Sequence, residues 1–241
     1  MGTGLPWLHR RAKALARWLL PPRCLLCADR GADGIDLCAA CAAELPRNAS
    51  CCARCALPLP VPTALCGRCQ RRAPPWDGAW APFRYAWPLD RLEARYKFSA
   101  DLAAGRALTT LWLAQSCPLP VPQALIAVPL HRARLAVRGY NQSHELAMRL
   151  ARRLGLPLLA GALQRTRDTH AQTALDAPGR RRNVRGAFVV KPGAALPSHV
   201  AVLDDVFTTG ATLAECVRVL KHAGVARVDV WALARAPAPR G

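Results

Sequence analysis

The chain has 241 residues, and an apolar content of 52% excludes a wholly disordered protein. Lys and Arg number 34 against 15 Asp and Glu, a formal net charge of +19 that favours polyanionic partners such as phosphates, nucleic acid or anionic surfaces. A second interpretation of this charge is compositional, because only four of the 34 are Lys and a chain rich in Ala, Arg and Pro acquires such an excess without any ligand.

Residues 1–20 predict a short amphipathic helix in which Trp7 and Trp18 stand among basic residues. The segment differs from a secretory signal because Lys13 and Arg17 interrupt its apolar stretch, and a cysteine pair follows instead of a cleavage site. We expect this helix to dock on the protein, with attachment to a membrane surface as the alternative.

Eight of the eleven cysteines form a tandem repeat within residues 21–75. Each repeat reads CxxC, ten residues, CxxC, and the second begins 28 residues after the first. Two CxxC knuckles complete a closed tetrahedral site of four thiolates, with no open position for catalysis. We therefore predict a double zinc ribbon with two structural zinc ions, each bound within one repeat. The predicted ligands are Cys24, Cys27, Cys38 and Cys41, and Cys52, Cys55, Cys66 and Cys69.

Disulfides are the alternative use of these cysteines. The chain shows no secretory signal, and CxxC pairs in a reducing compartment are typical of metal sites, so a cytoplasmic protein is expected. Cys51 falls outside the repeat and is expected to be a spare thiol, although it could replace Cys52 in an irregular knuckle. Cys117 and Cys216 are expected to be core residues.

Pro74-Pro75 marks the predicted boundary to a second domain, residues 76–241. Residues 79–87 predict a strand or hairpin arm, 88–115 are mainly helical, and 124–128 predict a short buried strand. Such alternation of strands and helices indicates an α/β fold, an open and mainly parallel sheet with flanking helices. The prolines in the uncharged run after Arg106 exclude a membrane-spanning helix there.

A further helix is predicted by an apolar face that ends before Gly155 and Pro157. The face consists of Ala147, Leu150, Ala151 and Leu154. The polar run that follows, residues 164–188, is too long for an ordinary connection and is expected to be a lid or a disordered segment. Its arginines either form a solvated charged surface or contact a pyrophosphate group. They are Arg180, Arg181, Arg182 and Arg185.

The stretch VLDDVFTTGAT, residues 202–212, joins an apolar strand to a helix through a loop of small residues. At such a junction the helix start offers unpaired N–H groups and a positive dipole end to a phosphate. Asp204 and Asp205 would repel a phosphate, but carboxylates accept hydrogen bonds from the neighbouring hydroxyls of a ribose. The residues expected to hold the 5-phosphate are Thr208, Thr209, Gly210, Ala211 and Thr212.

Two other interpretations of this stretch were weighed. A triphosphatase P-loop requires a Lys directly after its last glycine, and none follows Gly210. A pair of acids that only forms a turn and caps a helix is the structural alternative for Asp204 and Asp205. The attached TTGAT sequence favours the ligand site.

The stretch closely resembles the phosphoribosyl-pyrophosphate signature of type I phosphoribosyltransferases. Other segments, together with the cysteine repeat, look like the ComF family of competence-linked proteins. They are YKF at 96–98, VPLHRARLAVRGYNQ at 128–142, QTAL at 172–175 and RRRNVRGAF at 180–188. The resemblance covers nearly the whole chain from Pro22 onward. The sequence departs from the family pattern at Pro178-Gly179, where a charged residue usually precedes the arginines.

The resemblance implies a double zinc ribbon joined to a type I phosphoribosyltransferase domain, in a family of which some members are needed for natural DNA uptake. It implies phosphoribosyl pyrophosphate with Mg²⁺ as the ligand, and displacement of pyrophosphate from C1 of the sugar. Asp204 and Asp205 would hold the ribose, residues 168–186 would form a mobile lid, and Arg181 and Arg182 would act on the leaving pyrophosphate. The other residues implied in pyrophosphate binding are Val128, Pro129, Leu130, His131 and Lys97.

Two functional hypotheses follow. In the first, the protein is an enzyme that transfers phosphoribose to an unknown acceptor, with His131 and His170 as candidate bases by residue type alone. In the second, it is a non-catalytic accessory protein that binds single-stranded DNA or another ligand alongside DNA-uptake proteins. Nucleic-acid binding should weaken steeply with salt, whereas binding of a small ligand in a pocket should respond less.

Overall fold

The computed structural model describes residues 21–32, 34–99, 101–167 and 177–238. The expected amphipathic helix at 1–20 and the first part of the expected lid, residues 168–176 with His170, lie outside the described residues.

Seven strands and eight helices are found in these ranges. The strands are β1 (Gly78–Trp80), β2 (Phe83–Arg84), β3 (Ala124–Ala127), β4 (Leu163–Arg165), β5 (Phe188–Val190), β6 (His199–Phe207) and β7 (Arg227–Arg235). The helices are α1 (Ala39–Ala43), α2 (Gly67–Arg71), α3 (Leu89–Phe98), α4 (Leu102–Leu113), α5 (Arg132–Arg138), α6 (Gln142–Leu154), α7 (Ala177–Val184) and α8 (Ala211–His222).

A parallel sheet in the order β1-β7-β6-β3 forms the centre of the fold, with β2 also paired to β7. The β6–β7 register runs from His199 opposite Arg227 to Phe207 opposite Arg235. Residues 200–203 of β6 and 228–235 of β7 are buried, which is why the middle of each strand contains an apolar run, VAVL and VWALA, instead of an alternating pattern. The predicted α/β fold with a mainly parallel sheet is confirmed.

Alternate residues of β6 face two separate cores. Val200 and Val202 point to one core, which α8 and the β4–β5 pair cover. Ala201 and Leu203 point to the other, where α3, α4 and α6 pack around Trp112. The sheet is therefore enclosed on both faces, and its carboxyl edge is left for polar side chains.

Each half of the cysteine repeat packs into a different one of these cores. Cys55 and Leu57 of the second repeat join the core that contains Val202. Leu37 and Leu45 of the first repeat join the core on the opposite face. The two ribbons thus contribute directly to the covering of the sheet.

The predicted helices at 88–115 and the strand at 124–128 correspond to α3, α4 and β3. The hairpin interpretation of residues 79–87 is wrong, because β1 and β2 follow one another along the same edge of β7 and both are parallel to it. Pro82 separates them, since it has no N–H to continue the ladder. Leu154, predicted on the apolar face of α6, is 44% exposed because it lies at the end of that helix.

The polar run 164–188 is more ordered than a single loop. Its two ends form the antiparallel β4–β5 pair, with Leu163 opposite Val190, and α7 lies between them. These strands have little recognisable sequence pattern, because each has only three residues and only the first of them is buried.

We expect Gly105→Ala to destabilise the protein by about 1–3 kcal/mol, because the added Cβ would lie 2.6 Å from the buried Tyr96 ring. The Tyr96 hydroxyl donates to the Gln142 carbonyl at 3.2 Å, so the ring has little freedom to move. In the matched variant Gly67→Ala, the Cβ would meet only the end of the Arg71 side chain at 3.7 Å. Urea denaturation should show a lower free energy of unfolding for Gly105→Ala and an unchanged one for Gly67→Ala. Equal stabilities of the two variants would contradict this packing.

Candidate functional site

Asp204 and Asp205 lie near the carboxyl end of β6, and a different helix holds each carboxylate. The Ser143 hydroxyl in α6 donates to Oδ1 of Asp204 at 2.9 Å. The Lys97 ammonium in α3 lies 2.9 Å from Oδ2 of Asp205. The backbone N–H of Val206 donates to Oδ1 of Asp205 at 2.7 Å. The predicted pair is therefore a fixed group at the sheet edge where α/β proteins bind ligands.

Glu93 is a third acid of this cluster, and the sequence analysis did not identify it. It lies one helical turn before Lys97 in α3, and its Oε1 is 3.2 Å from the Lys97 ammonium. Its side chain is almost completely buried. The spacing of four residues was an available signal, since a Glu four residues before a Lys faces it on a helix. Ser143 carried no comparable signal.

The charges in this cluster shift pKa values in opposite directions. Burial raises the pKa of Asp204 to about 7, and the Asp205 carboxylate adds to the rise. Burial also raises the pKa of Glu93 to about 7. For Asp205, burial acts to raise the pKa, but the Lys97 ammonium and the hydrogen bond from the Val206 N–H together lower it below its usual range. Asp205 and Lys97 are thus a charged pair at neutral pH, while burial disfavours the charged form of Asp204.

The loop from Thr208 to Gly210 connects β6 to α8. Gly210 has a φ of +77° and directly precedes the helix. A Cβ there would lie 2.6 Å from the Phe207 ring and 3.0 Å from Trp76, so both backbone geometry and space require glycine. The Thr209 hydroxyl accepts a hydrogen bond from the Ala211 N–H at 3.3 Å. Residues 208–212 were predicted to hold a 5-phosphate, and for that reason we call them the phosphate loop.

The loop predicted to bind pyrophosphate, residues 128–131, leaves the sheet beside Asp204. The Val128 N–H donates to the Leu203 carbonyl at 2.9 Å, which fixes this proximity. Asn141 donates to the Val128 carbonyl at 3.0 Å. His131 caps the start of α5 by accepting from the Ala133 N–H, and Pro129 and Leu130 line a nearby cavity of about 390 Å³.

Of the two arginines expected to act on the leaving pyrophosphate, only Arg182 has a described side chain. It is exposed and lines a cavity next to Thr209 and Gly210. The backbone of Arg181 belongs to α7, and its side chain lies outside the described part of the chain. The end of the expected lid is hydrogen-bonded to α8, since the Gly186 N–H donates to a Glu215 carboxylate oxygen at 2.7 Å.

This cavity, about 650 Å³ in volume, lies between the second cysteine repeat, α7 and the phosphate loop. One acid lines it, Glu215, which pairs with Arg218 at 2.7 Å. The arginines of the polar run 164–188 were expected at a lid, but nothing in the sequence indicates that they meet those of the repeat. Seven arginines line the cavity: Arg68, Arg71, Arg72, Arg182, Arg185, Arg218 and Arg235.

The eight repeat cysteines form two groups in which the sulfur atoms lie within 4.8 Å of one another. As predicted, each group belongs to one repeat: Cys24, Cys27, Cys38 and Cys41, and Cys52, Cys55, Cys66 and Cys69. Backbone N–H groups point at the sulfurs, as in the bond from Cys66 N–H to Cys52 Sγ at 3.2 Å. Four convergent sulfurs with such N–H donors fit tetrahedral zinc, and the disulfide alternative is not adopted.

The remaining cysteines follow the expectations in part. Cys51 belongs to neither sulfur group. Cys216 is fully buried on the inner face of α8, as expected of a core residue, whereas Cys117 is only half-buried. None of the described helices is long and apolar enough to cross a membrane.

Comparison with known proteins agrees with this architecture. The model of the double zinc ribbon domain matches residues 15–76. Competence protein F of Haemophilus influenzae is 37% identical over 174 residues, which are 69% of this chain and 76% of that protein. DNA utilization protein YhgH of Salmonella typhi is 35% identical over 239 residues, covering 96% of this chain and 97% of that protein. Competence protein ComFC of Streptococcus pneumoniae is 26% identical over 155 residues, 64% of this chain and 67% of that protein.

Among solved structures, similarity is found to two adenine phosphoribosyltransferases. That from Trypanosoma brucei has a TM-score of 0.38 and 16% identity, with 64% of this chain and 70% of that chain covered. That from Leishmania donovani has a TM-score of 0.37 and 14% identity. The match covers 59% of this chain and little more than half, 56%, of the Leishmania chain.

The fold and the site define a double zinc ribbon joined to an α/β domain with a mainly parallel sheet. The identities to competence protein F and to YhgH over most of their lengths then establish the family. The chain belongs to the ComF family of competence proteins.

We expect Asp204→Asn to stabilise the protein above pH 7. The pKa of this acid is higher in the folded chain, about 7, than its ordinary value of 3.8, so the folded chain binds more protons between these limits. The free energy of unfolding therefore falls as pH rises through this window. The amide removes this loss and still accepts the Ser143 bond, so Tm at pH 8 should rise by about 2–4 °C per kcal/mol gained.

Asp205→Asn is the matched control and should have the opposite sign. Its pKa is lowered by Lys97, so its contribution to stability is present above its ordinary pKa and is lost in acid. Thermal melts at pH 4 and pH 8 test both variants. A lower Tm for Asp204→Asn at pH 8, or the same gain at pH 4, would refute the assignment.

Proposed function

We propose that the protein binds phosphoribosyl pyrophosphate with Mg²⁺ at the carboxyl edge of the sheet and transfers its phosphoribose to an acceptor. One observation carries the proposal: Asp204 and Asp205, the phosphate loop and the 128–131 loop meet at this edge, with Lys97 against the acids. These are the groups needed for a ribose diol, a 5-phosphate and a pyrophosphate.

Each group has a chemical role in this proposal. The carboxylates of Asp204 and Asp205 accept hydrogen bonds from the two ribose hydroxyls. The N–H groups at the start of α8 and the hydroxyls of Thr208, Thr209 and Thr212 hold the 5-phosphate. Lys97 balances the charge of the acids, since its ammonium lies 2.9 Å from Asp205. In this proposal it also stabilises the negative charge that develops on the leaving pyrophosphate.

The implied magnesium fits the donors of this site, since Mg²⁺ is usually held by substrate phosphates and one or two carboxylates. When bound, it would neutralise pyrophosphate charge. Arg181 and Arg182, in the helix of the expected lid, would add positive charge and help to exclude water when the lid closes. Positive charge grows on the sugar ring during the displacement, and the nearby acids stabilise it.

The biological setting is proposed from the relatives. Two of them are named as competence proteins and one as a DNA utilization protein. We infer that the phosphoribose chemistry of this chain serves the uptake or use of DNA. The acceptor could then be a base, a nucleotide or another small molecule of that process.

The paired substitution Asp204→Asn with Asp205→Asn should weaken binding of phosphoribosyl pyrophosphate about 100-fold or more. It replaces two charged acceptors, and a hydrogen bond to a charged group contributes about 1.5–3 kcal/mol. Isothermal calorimetry with Mg²⁺ measures the loss.

Inorganic pyrophosphate without Mg²⁺ is the ligand control because it has no diol and needs no carboxylate, so the variant should bind it at least as well as the wild type does. Absence of phosphoribosyl pyrophosphate binding by the wild type would refute the proposed ligand. Equal binding by the variant would refute the assignment of the acids.

A second candidate function is binding of single-stranded DNA, and the arginine-lined cavity favours it. Seven arginines against one acid line the cavity, which gives a strongly positive surface between the second ribbon and α7. Guanidinium groups pair well with phosphates and stack on bases. In this function the protein would hold a strand at the ribbon, with or without transfer chemistry.

Arg71→Ala with Arg72→Ala should reduce affinity for a fluorescent oligothymidine at least tenfold and lower the slope of log K against log salt by about 1.4. The matched control is Arg152→Ala with Arg153→Ala, which removes the same charge from exposed positions at the end of α6. Fluorescence anisotropy at several salt concentrations measures both. Equal losses in the two variants would mean that net charge, and not the cavity, determines binding.

A further inference from the structure

Arg235, the last residue of β7, connects the second ribbon to the phosphate loop. Its side chain is 2% exposed. One nitrogen, Nη1, donates to the carbonyls of Phe207 at 2.8 Å, Thr208, and Ala236 at 2.7 Å. A second nitrogen, Nε, donates to the carbonyl of Cys55 at 3.1 Å. One buried cation thus holds the start of the phosphate loop and a ligand residue of the second cysteine group.

Two further contacts join the same two segments. Arg68, between the last two cysteines of the second repeat, donates to the Thr209 carbonyl at 3.1 Å. Trp76 packs edge-on against the Phe207 ring, with centroids 5.3 Å apart, and donates its N–H to the Arg54 carbonyl at 2.8 Å. The back of the phosphate loop is therefore built on the ribbon.

The Arg235 contacts depend on an ordered ribbon. A buried guanidinium is costly unless its N–H groups are satisfied, and here backbone carbonyls satisfy them. One of these carbonyls belongs to Cys55, whose backbone is positioned by the four sulfurs that fit zinc. Small zinc modules take most of their folding free energy from the metal. Loss of the metal from this group would release the Cys55 carbonyl, and with it one of the supports of Arg235.

The first cysteine group lies elsewhere. Its described polar contacts with the second domain go to α3 and α4, from Arg95 to the Leu25 carbonyl at 3.1 Å and between Arg106 and Asp36 at 3.1 Å. Its apolar residues Leu37 and Leu45 belong to the core on the opposite face of the sheet from that of the second group. The repeat therefore provides two similar metal groups, of which one supports the phosphate loop.

We propose that zinc at Cys52, Cys55, Cys66 and Cys69 positions the phosphate loop through Arg235, and that zinc at the first group does not. Arg235 is in this view a positioning residue that acts behind the loop. The part of the proposal that concerns binding of a 5-phosphate rests on the proposed function. The part that concerns the order of the loop does not.

The test compares Cys66→Ser with Cys38→Ser. The two residues occupy equivalent positions, since each is the N-cap of a five-residue helix in its repeat. Metal analysis should give two zinc ions per wild-type chain and one per variant chain; fewer than two in the wild type would overturn the proposal. Hydrogen–deuterium exchange of amides in residues 207–214 should then speed up at least tenfold in Cys66→Ser and stay unchanged in Cys38→Ser.

Arg235→Lys covers the case in which Cys66→Ser does not fold. It keeps the charge but loses the planar set of donors, so it should keep two zinc ions while exchange in residues 207–214 speeds up at least tenfold. Unchanged exchange in Arg235→Lys, or equal acceleration in the two cysteine variants, would overturn the proposal.

Calorimetry with ribose 5-phosphate provides the binding readout. Affinity should fall at least tenfold in Arg235→Lys and remain at the wild-type value in Cys38→Ser. Equal affinity of Arg235→Lys and the wild type would overturn the binding part. If the wild type does not bind ribose 5-phosphate, the proposed function fails at this loop, and the exchange measurements still decide whether zinc positions it.

Discussion

A parallel sheet buried on both faces needs a cover on each side, and this requirement organises the whole chain. Helices provide most of the cover, but the two ribbons complete it, one on each face. The cysteine repeat is therefore part of the structure of the larger domain and not an independent module beside it. Metal binding in such a ribbon contributes to the folding free energy of the sheet that it covers.

Charged side chains cluster at the carboxyl edge of the sheet. Three acids and one lysine meet there, so the cluster carries more negative than positive groups. Burial raises the pKa values of Asp204 and Glu93, and the neighbouring Asp205 carboxylate adds to both rises, while the acid closest to Lys97 keeps its charge. A buried acid that is costly to ionise lowers the free energy of unfolding. Binding sites typically keep such destabilising groups.

The phosphate loop is held between the sheet and the ribbon. It follows β6, which carries Asp204 and Asp205, and it lies on Phe207, Trp76 and the ribbon. Seven arginines line the cavity between the ribbon, α7 and this loop. Arg182, Thr209 and Gly210 belong to this cavity and also to the proposed phosphoribosyl-pyrophosphate site, so the two candidate functions share these residues.

The sequence by itself determined the features that depend on spacing along the chain. The CxxC repeat predicted both zinc groups because their ligands are close in sequence, and VLDDVFTTGAT predicted a strand, a loop and a helix because each signal is local. The α/β class followed from the alternation of such segments. The short strands β4 and β5 gave little signal, and the pairing partners of β1 and β2 could not be read from their own residues.

Only the tertiary structure decided which distant residues meet. Glu93 and Ser143 reach the acid pair from separate helices, and Arg235 reaches Cys55 across 180 positions of chain. No periodicity or motif marks such contacts, because they depend on how the two faces of the sheet are covered. The sequence therefore pointed to the groups that we propose bind a sugar phosphate, and the packing of the ribbon against the sheet determined how those groups are held.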